Sequence, residues 1–392
     1  MKKVLIIEAQ VKKYRRSFYE SLHTVLCENG IQLQVAYSHP PAAEARKQDT
    51  CDLPAEYGLK VKAYWLWPER LLYQPLLKAA TTCDLVIVDQ GNRFLLNHLL
   101  LPLSRMGIQR VAFWGHGENR RAERIQFSEW YRRMTLNWVA WWFAYTKGTA
   151  KYLETQGIPA TKITPVQNSI DTREIREHVK RFKPHDRTTT RTRLGIPVGA
   201  PLGIFCGTLD KLKSVPFLIE SSRMIKARIS DFHLIIVGGG PEQEVAERLI
   251  QGLPYVHWVG PQFGKEKAEF MAASDVFLLP GAVGLAILDA FAAGLPMLTT
   301  QLETHGPEIE YLEEGVNGLK SAATIGEFAD LVSSLLDRKD YLAQLQAGAQ
   351  ASVEQYSIDN MVTNFHAGIR SCLGLLARGA GAGVLERGLD GI

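Results

Sequence analysis

The fold is decided by the stretch LLPGAVGLAILDAFAAGLP, residues 278–296. It reads as the end of a buried strand, a turn at 280–282 and a helix that opens near Val283, with Asp289 about a turn and a half into that helix. A glycine turn at a helix start presents unpaired backbone N–H groups and the positive end of the helix dipole, which suits an anion such as a phosphate. On this stretch alone, an ordinary strand-to-helix turn of an α/β domain is the alternative.

Composition and charge describe a globular chain with a basic first half. Of the 392 residues, 46% are apolar and 22% are charged, and the net charge is +4. This is typical of a globular protein with sizeable cores, and the length favours two domains. Residues 1–180 hold 26 Lys and Arg against 17 Asp and Glu, whereas the remainder holds 19 against 24. The first half is therefore expected to face something anionic, such as a membrane surface, a charged glycan or nucleic acid.

Cysteine usage and the N-terminus predict a cytoplasmic protein, or one that is attached to a membrane peripherally. The five cysteines are scattered and contain no CxxC pair, which is typical of reduced thiols. The N-terminal MKKVLIIEAQVKKYRR places charges after an apolar run that is too short for a signal peptide. No apolar run approaches the about 20 residues of a membrane span.

The first half alternates strands and helices. The run KKVLIIE (2–8) predicts a buried strand, a helical pattern follows from Tyr14 to Leu26, and IQLQVAY (31–37) predicts a second strand. This β-α-β opening implies a parallel sheet, and no glycine fingerprint for a dinucleotide follows its first strand. CDLVIVDQG (83–91) and QRVAFWGHG (109–117) are further strands, each ending in a glycine-bearing turn.

The segment 119–147 is predicted to be helical and combines arginines with aromatic side chains. Its aromatics either pack in the first core, which we favour, or lie in the headgroup region of a membrane. Tyr14, Arg15 and Arg16, which follow the first strand, are expected to extend the same surface. The segment has no known nucleic-acid-reading module, so nucleic acid is not an expected partner. The residues concerned are Arg120, Arg121, Arg124, Arg132, Arg133, Trp130, Trp138, Trp141, Trp142 and Phe143.

A second α/β pattern follows a polar, basic stretch at 178–193, which is the best candidate linker. Its strands are predicted in 201–210, 232–242, 255–260 and 275–281, and the last fifteen residues are glycine-rich and expected to be frayed. The predicted organisation is therefore α/β, with two similar-sized Rossmann-like domains facing each other across a cleft. The boundaries are 1–175 for the first domain, 176–198 for the linker, 199–375 for the second domain and 376–392 for a flexible tail.

Several ordered pieces of the second half resemble the retaining, nucleotide-sugar-dependent glycosyltransferases of GT-B architecture, and in particular family four, also called group 1. Their order and spacing, over about residues 160–370, carry the resemblance. It implies two Rossmann-like domains and a UDP- or GDP-sugar donor bound beyond the carboxyl ends of the strands. The pieces are QNSID (167–171), FCGTLDKLKSVPFLIES (205–221), LIIVGGGPEQE (234–244), WVGPQF (258–263), the opening stretch and HGPEIEYLEEGVNGL (305–319).

The resemblance assigns the diphosphate to the turn after the strand at 201–206. In the family, a glycine turn there is followed by an Arg and a Lys that clamp the diphosphate. Here the turn begins at Gly207, Thr208 stands in the place of the Arg, and Lys213 matches the Lys. Lys213 is therefore the expected cation for the leaving phosphate, whose developing charge needs fixed donors or cations. A solvated surface lysine is the alternative reading of Lys213, and Lys211 is a candidate to compensate for the missing Arg.

The opening stretch matches the family's pair of acids, which stand eight positions apart. The later acid corresponds to Asp289, which by resemblance accepts hydrogen bonds from the ribose. The earlier acid, associated with the transferred sugar, corresponds to Gly281 and is missing. The backbone N–H groups of Ala282, Val283, Gly284 and Leu285 are then left to bind the donor. Gly239, in the Gly238–Gly240 turn, is expected to permit close packing near the nucleotide, with a plain turn as the alternative.

Five further residues are candidates, His116 as a catalytic residue and the other four as contacts to the donor or the acceptor. His116 lies between two glycines at a strand end, where the backbone can approach a ligand closely, and the resemblance places a histidine near the donor sugar. A structural histidine that caps the next helix is the alternative. Glu118 and Asn119 follow it on the acceptor side, and Glu308 falls in a loop near the sugar or phosphate, unless it only serves a helix dipole. Tyr14 is the fifth candidate.

The resemblance implies a retaining, metal-independent hexosyltransferase. The chain contains no Asp-x-Asp motif and no His/Cys cluster of zinc spacing, so no metal or other cofactor is expected. The expected reaction moves a sugar from a nucleoside diphosphate to a glycan or lipid-linked acceptor with retention, in surface polysaccharide or lipopolysaccharide biosynthesis. Two alternatives remain open: a nucleotide-sugar epimerase of similar architecture, and a degenerate protein that binds nucleotide sugars without turnover.

Overall fold

The computed structural model describes residues 1–41, 49–67, 70–117 and 126–375, without the side chains of 126–129. The strands are β1 (Lys2–Ile7), β2 (Ile31–Tyr37), β3 (Gly58–Lys60), β4 (Tyr64–Leu66), β5 (Leu71–Tyr73), β6 (Leu85–Asp89), β7 (Val111–Gly115), β8 (Trp141–Ala144), β9 (Ile163–Pro165), β10 (Leu202–Cys206), β11 (His233–Val237), β12 (Val256–Gly260), β13 (Val276–Leu278), β14 (Met297–Thr300) and β15 (Gly318–Ser321). The helices are α1 (Arg16–Glu28), α2 (Leu77–Thr81), α3 (Leu95–Arg105), α4 (Gln126–Thr135), α5 (Lys147–Thr155), α6 (Arg173–Arg181), α7 (Pro184–Arg193), α8 (Val215–Arg228), α9 (Gln243–Ile250), α10 (Gly264–Ala273), α11 (Ala286–Ala292), α12 (Ile325–Asp337), α13 (Lys339–Gln355) and α14 (Ile358–Leu373).

Two parallel sheets organise the chain, as the sequence predicts. The first sheet has the order β3-β2-β1-β6-β7-β8-β9 and the second has the order β12-β11-β10-β13-β14-β15. All strand pairs within them are parallel. Their central strands are continuous apolar runs because helices cover both faces of a parallel sheet. β4 and β5 form a separate antiparallel pair beside the first sheet.

The basic stretch predicted as a linker is helical and packs against the second sheet. α6 and α7 both contact α10, and Ile175 of α6 belongs to the second core. Arg191 of α7 is 1% exposed; its guanidinium donates to the Asp275 carboxylate at 3.1 Å and to the Ala200 carbonyl at 2.6 Å. Residues 176–198 are therefore part of the second structural unit. The sequence predicts a solvated linker here because the partner of a buried charge such as Arg191 lies far along the chain, at Asp275.

The last described helix, α14, crosses back to the first sheet. Its apolar side chains join the core formed by α1 and the strands of the first half. The Phe365 ring stacks on Phe143 of β8 at 4.3 Å between centroids and meets Trp114 of β7 edge-on at 5.0 Å. A division of the chain at 199–375 therefore assigns to the second domain a helix that completes the core of the first.

The aromatic segment contributes to the first core rather than forming one long helix. Its described part is α4, a short 3-10 turn (Leu136–Trp138) and then β8. Trp142 and Phe143 are buried on β8, and the Trp142 indole donates to the Leu136 carbonyl at 3.0 Å. Trp130 stays 57% exposed. Within the described ranges, no helix is long and apolar enough to cross a membrane.

We expect Phe365→Ala to weaken the first unit selectively. Truncating a fully buried phenylalanine costs about 3–5 kcal/mol of the free energy of unfolding. Amide hydrogen exchange should therefore accelerate in β7 and β8 more than in β10 and β13. Thr363→Ala, on an exposed position of the same helix, is the matched control and should leave both sheets protected. Selective loss of protection in the second sheet would contradict the assignment of α14 to the first core.

Candidate active site

The candidate site residues of the second half lie together at the carboxyl edge of the second sheet. The turn after β10, the turn after β11 and the turn after β13 follow neighbouring strands of the order β11-β10-β13. Gly238 packs so closely that a Cβ there would overlap the Gly207 carbonyl oxygen, and a Cβ on Gly239 would be 3.1 Å from the Pro261 ring. The parallel arrangement thus brings the glycine turns of the sequence to one edge, as expected for this fold class.

Lys213 is held over the turn after β13. It ends a 3-10 turn (Lys211–Lys213) whose preceding residue, Asp210, accepts the Lys213 backbone N–H at 3.1 Å. The Lys213 ammonium donates to the Ala282 carbonyl at 2.6 Å. Burial lowers the pKa of Lys213, while the carboxylates of Asp210 and Glu308 oppose that shift. Thr208 and Lys211 are exposed in the same turn, so Lys213 is the cation that the fold fixes in place.

The packing of this turn explains why the first acid of the family's pair is a glycine here. A Cβ on Gly281 would be 2.5 Å from the Lys213 carbonyl oxygen and nearer still to the Leu212 carbonyl oxygen. The Ala282 N–H also donates to the Leu212 carbonyl at 2.7 Å. The turn after β10 therefore occupies the space that a side chain at position 281 would need.

Two of the four N–H groups expected to bind the donor are already used. The Ala282 N–H is bound by Leu212, and the Val283 N–H donates to His305 Nδ1 at 2.9 Å. His305 is fixed in turn because its Nε2–H donates to the Thr300 carbonyl at 2.8 Å. Among the described residues, none accepts a hydrogen bond from the Gly284 or Leu285 N–H. Of the four backbone N–H groups predicted to bind an anion, only those of Gly284 and Leu285, at the start of α11, are therefore available.

Asp289 lies in α11 and forms an ion pair that the sequence does not indicate. The Lys267 ammonium, from α10, lies 2.7 Å from Asp289 Oδ2, and the two side chains are 20% and 14% exposed. Burial alone would lower the pKa of Lys267, but the Asp289 carboxylate outweighs this effect and raises it. Since Lys265, Glu266 and Lys267 follow one another in α10, no pattern singles out Lys267 as the buried one.

Glu308 is tied to the first half of the chain through buried hydrogen bonds. It is 4% exposed, and the Asn168 side-chain amide donates to its Oε1 at 2.5 Å. The Arg15 guanidinium donates to Asn168 Oδ1 at 2.5 Å and lies 4.9 Å from the Trp114 ring centroid. A Cβ on Gly284 would be 4.0 Å from Glu308 Oε2. Glu308 therefore faces the helix-start turn, and Arg15 is buried rather than part of an acceptor surface.

The residues predicted to contact the acceptor lie at strand ends of the first sheet or near them. His116 is exposed after β7, and its ring lies 4.3 Å from that of Tyr145. The next residue, Gly117, has φ 72°, which favours glycine, and its carbonyl accepts from the Arg132 guanidinium. Tyr14 is 47% exposed. The predicted contacts Glu118 and Asn119 lie outside the described residues.

Two carboxyl groups at the carboxyl edge of the first sheet are site candidates that no sequence pattern predicts. The register that pairs Ile7 with Val88 puts Glu8 beside Asp89 at the carboxyl ends of β1 and β6. Burial raises the pKa of Glu8 to about 7, although the Tyr19 hydroxyl donates to its Oε1 at 2.6 Å. Desolvation raises the pKa of the Asp89 carboxyl to about 6, against the opposing effect of the Arg93 guanidinium, although the residue is exposed at the end of β6.

The two halves also meet at the start of α5. The Gly148 backbone N–H donates to the Glu310 carboxylate at 2.8 Å, and a side chain at position 148 would overlap that carboxylate. An acid at a helix N-terminus is stabilised by the dipole. Across the parts of the chain that the structure describes, no group of three His, Cys, Asp or Glu side chains could hold a metal ion.

We expect Gly281→Ala to destabilise the second unit by about 1–3 kcal/mol, because overpacking against backbone atoms cannot be relieved by a side-chain rotation. Gly284→Ala is the matched control, since only Glu308 comes within 4 Å of the added carbon. Urea unfolding of both variants measures the difference. Equal stability of the two variants would show that the turn after β10 does not exclude a side chain at position 281.

Comparison with known proteins agrees with this geometry. Residues 200–338 match the family described as Glycosyl transferases group 1. A GDP-mannose-dependent alpha-mannosyltransferase of Corynebacterium glutamicum is 31% identical over 205 residues, 48% of this chain and 43% of that protein. A D-inositol 3-phosphate glycosyltransferase of Streptomyces scabiei is 28% identical over 209 residues, 46% of this chain and 44% of that protein. The chain thus spans less than half the length of these two relatives.

Among solved structures, Anabaena HepE in complex with UDP superposes with a TM-score of 0.69 at 16% identity, over 95% of this chain and 100% of that one. At this identity the likeness concerns the fold, which covers both halves of the chain. It confirms the prediction of two Rossmann-like units. The chain thus has a GT-B fold, and residues 200–338 within it match the model of the glycosyl transferases group 1 family.

Proposed function

We propose that this chain is a glycosyltransferase that moves a sugar from a nucleoside-diphosphate sugar to a glycan or lipid-linked acceptor, with retention of configuration at the transferred carbon. It would act at the cytoplasmic face of a membrane, in surface polysaccharide or lipopolysaccharide biosynthesis. The observation that carries the proposal is the Lys213 ammonium, fixed 2.6 Å from the Ala282 carbonyl. It lies beside a helix start where the N–H groups of Gly284 and Leu285 have no described acceptor.

This arrangement suits the departure of a nucleoside diphosphate. As the bond between the sugar carbon and the phosphate oxygen breaks, negative charge grows on the diphosphate. Lys213 and the two N–H groups stabilise that charge without reorganising, since the fold already holds them. Position 281 carries no carboxylate to form a covalent intermediate, and the Glu308 carboxylate beside this turn already accepts a hydrogen bond from Asn168. In the proposed course the acceptor hydroxyl therefore attacks the face that the diphosphate leaves, and a phosphate oxygen takes the hydroxyl proton.

The acceptor side has the polar groups that such a reaction needs. His116 is exposed at the end of β7 and offers a hydrogen bond to a hydroxyl of the transferred sugar. Glu8 and Asp89 lie at the same sheet edge, beside the cleft, and accept from sugar hydroxyls. In this proposal the reaction needs no metal, because Lys213 supplies the positive charge at the diphosphate.

A panel of nucleotide sugars, incubated with and without a membrane extract, tests the proposed reaction. We expect release of nucleoside diphosphate with one donor, dependent on the extract, together with a sugar-labelled product in the extract. Formation of a free epimeric nucleotide sugar would favour the epimerase instead. Binding without turnover in the presence of a competent acceptor would favour a non-catalytic protein.

We expect Lys213→Ala to weaken binding of the nucleoside diphosphate by roughly 1.5–3 kcal/mol, the scale of a hydrogen bond to a charged group. Binding of the nucleoside without phosphates should stay unchanged, because Lys213 faces the diphosphate turn. Isothermal titration of UDP, GDP and the corresponding nucleosides measures both. Lys211→Ala removes an exposed ammonium of the same turn and is the control. An unchanged diphosphate affinity in Lys213→Ala would exclude Lys213 from the site.

A further inference from the structure

The hairpin formed by β4 and β5 is apolar on both of its faces. Its inner face packs on the first unit, where Trp65 and Leu72, which lie opposite each other, join a small core with Phe94. Its outer face carries two cross-strand pairs, Tyr64 with Tyr73 and Leu66 with Leu71. An antiparallel pair that covers a core with one face usually presents polar side chains on the other. The outer face is therefore suited to contact with something less polar than water.

The tip of this hairpin holds a tryptophan outward. Trp67 is 73% exposed and has φ 48°, in the left-handed region that a bulky residue rarely adopts. The Arg70 N–H closes the turn by donating to the carbonyls of Leu66 and Trp67 at 3.2 and 3.1 Å. Packing within the chain does not account for an indole at this position, because most of its surface faces solvent. Since strained backbone is concentrated at functional sites, an external partner of the indole accounts for both features.

The base of the hairpin is fixed beside the proposed acceptor site. Gln74, directly after β5, is buried, and its side-chain amide donates to the Glu8 carbonyl at 2.9 Å. The Leu72 N–H donates to the Arg93 carbonyl at 2.8 Å. Glu8 follows β1 at the carboxyl edge of the first sheet, where His116 follows β7. A partner bound by the hairpin is thus brought close to the edge at which the proposed acceptor binds.

The surroundings of the outer face are cationic. Residues 58–110 contain seven Lys and Arg against three Asp and Glu, and Lys62 and Arg70 of this region are exposed. The neighbouring helix α3, which contacts β5, adds two exposed apolar side chains about two turns apart, Leu99 and Met106 at its end. Apolar, aromatic and cationic side chains are therefore combined on this flank of the first unit.

This combination of side chains favours one kind of partner. Tryptophan and tyrosine are enriched where a bilayer meets water, and anionic headgroups attract Lys and Arg. Lysine is instead depleted at protein interfaces. A second copy of this chain would also bring like charges together on this flank. The charge and the composition of the surface therefore match an anionic lipid surface.

We propose that the β4–β5 hairpin docks the protein on the headgroup region of an anionic lipid bilayer. Trp67, Leu66 and Tyr64 insert among the lipids, and Arg70 lies at the lipid phosphates. Because the hairpin is fixed to the proposed acceptor edge, the acceptor taken there is lipid-linked rather than a free glycan. The class of acceptor rests on the proposed function, whereas the docking itself does not.

Co-sedimentation with vesicles tests the docking without any donor or acceptor. The probes are vesicles of phosphatidylcholine alone and of equal parts phosphatidylcholine and phosphatidylglycerol. The wild-type protein should bind the mixed vesicles about tenfold more tightly than the neutral ones, and added salt should reduce this difference. Leu66→Gln/Trp67→Gln should weaken binding to the mixed vesicles by about tenfold or more. Arg70→Gln should weaken it about fivefold, and only on the mixed vesicles.

Two variants separate insertion of the hairpin from general effects. Phe263→Gln removes an equally exposed aromatic ring of the second unit, 77% exposed, and should bind vesicles as the wild type does. Trp67→Phe keeps an aromatic ring at the tip and should retain vesicle affinity within about twofold. Thermal unfolding checks that each variant is folded, which we expect because the substituted side chains are exposed.

A lipid-linked acceptor in the mixed vesicles tests the consequence for the reaction. Leu66→Gln/Trp67→Gln should raise the KM for this acceptor about tenfold, the same factor as for vesicle binding, and leave the KM for the donor unchanged. Equal effects on both KM values would assign the hairpin a structural role.

Three results would overturn the inference. The first is a wild-type protein that binds neither kind of vesicle, and the second is equal vesicle affinity of the wild type and Leu66→Gln/Trp67→Gln. The third is a dimer in light scattering that this double variant abolishes, without vesicle binding, which would make the hairpin an interface between copies. Vesicle binding that depends on the hairpin, together with no sugar transfer to any acceptor, would instead remove the proposed function and leave the docking in place.

Discussion

The buried hydrogen bonds from Arg15 through Asn168 to Glu308 join the two halves of the molecule at the point where the candidate site forms. The Arg15 side chain is desolvated and stacked on Trp114, so its charge needs the Asn168 and Ser169 acceptors. Asn168 in turn directs its amide to Glu308. The Glu308 carboxylate, beside the turn after β13, is thus positioned by Arg15 of the first unit. A movement of one unit relative to the other would have to break these hydrogen bonds or move all three residues together.

The second constraint is steric and concerns the turn between Gly207 and Ser214. It packs against the backbone of Gly281 and Ala282, which brings the Lys213 ammonium over the start of α11. The same contact removes the space for an acid at position 281 and uses the Ala282 N–H. The groups that remain available at the proposed donor site are therefore the N–H groups of Gly284 and Leu285 and the Lys213 ammonium. A site built from a few groups that the fold holds in place would orient its ligand precisely rather than attract it by a large net charge.

Local patterns were informative wherever one element could be recognised from its own residues. The apolar runs predicted β1, β2, β10 and β11, and the glycine turns after β10, β11 and β13 lie together at one edge of the second sheet because parallel strands share one carboxyl edge. Patterns failed where partners are distant. Arg191 looked like part of a linker since Asp275 is far along the chain, and α14 looked like part of the second domain although Phe365 stacks on Phe143.

The sequence by itself determined the two-unit α/β architecture, the match of residues 200–338 to the glycosyl transferases group 1 family and the residue types in the turns at the edge of the second sheet. These follow from periodicity and from the order of the motifs, which are properties of the chain read in one dimension. Only the tertiary structure decided which groups are available. It placed His305 on the Val283 N–H, Lys267 on Asp289, and Glu8 beside Asp89. Hydrogen-bond satisfaction and burial depend on what lies across the space between elements, and no local pattern records that.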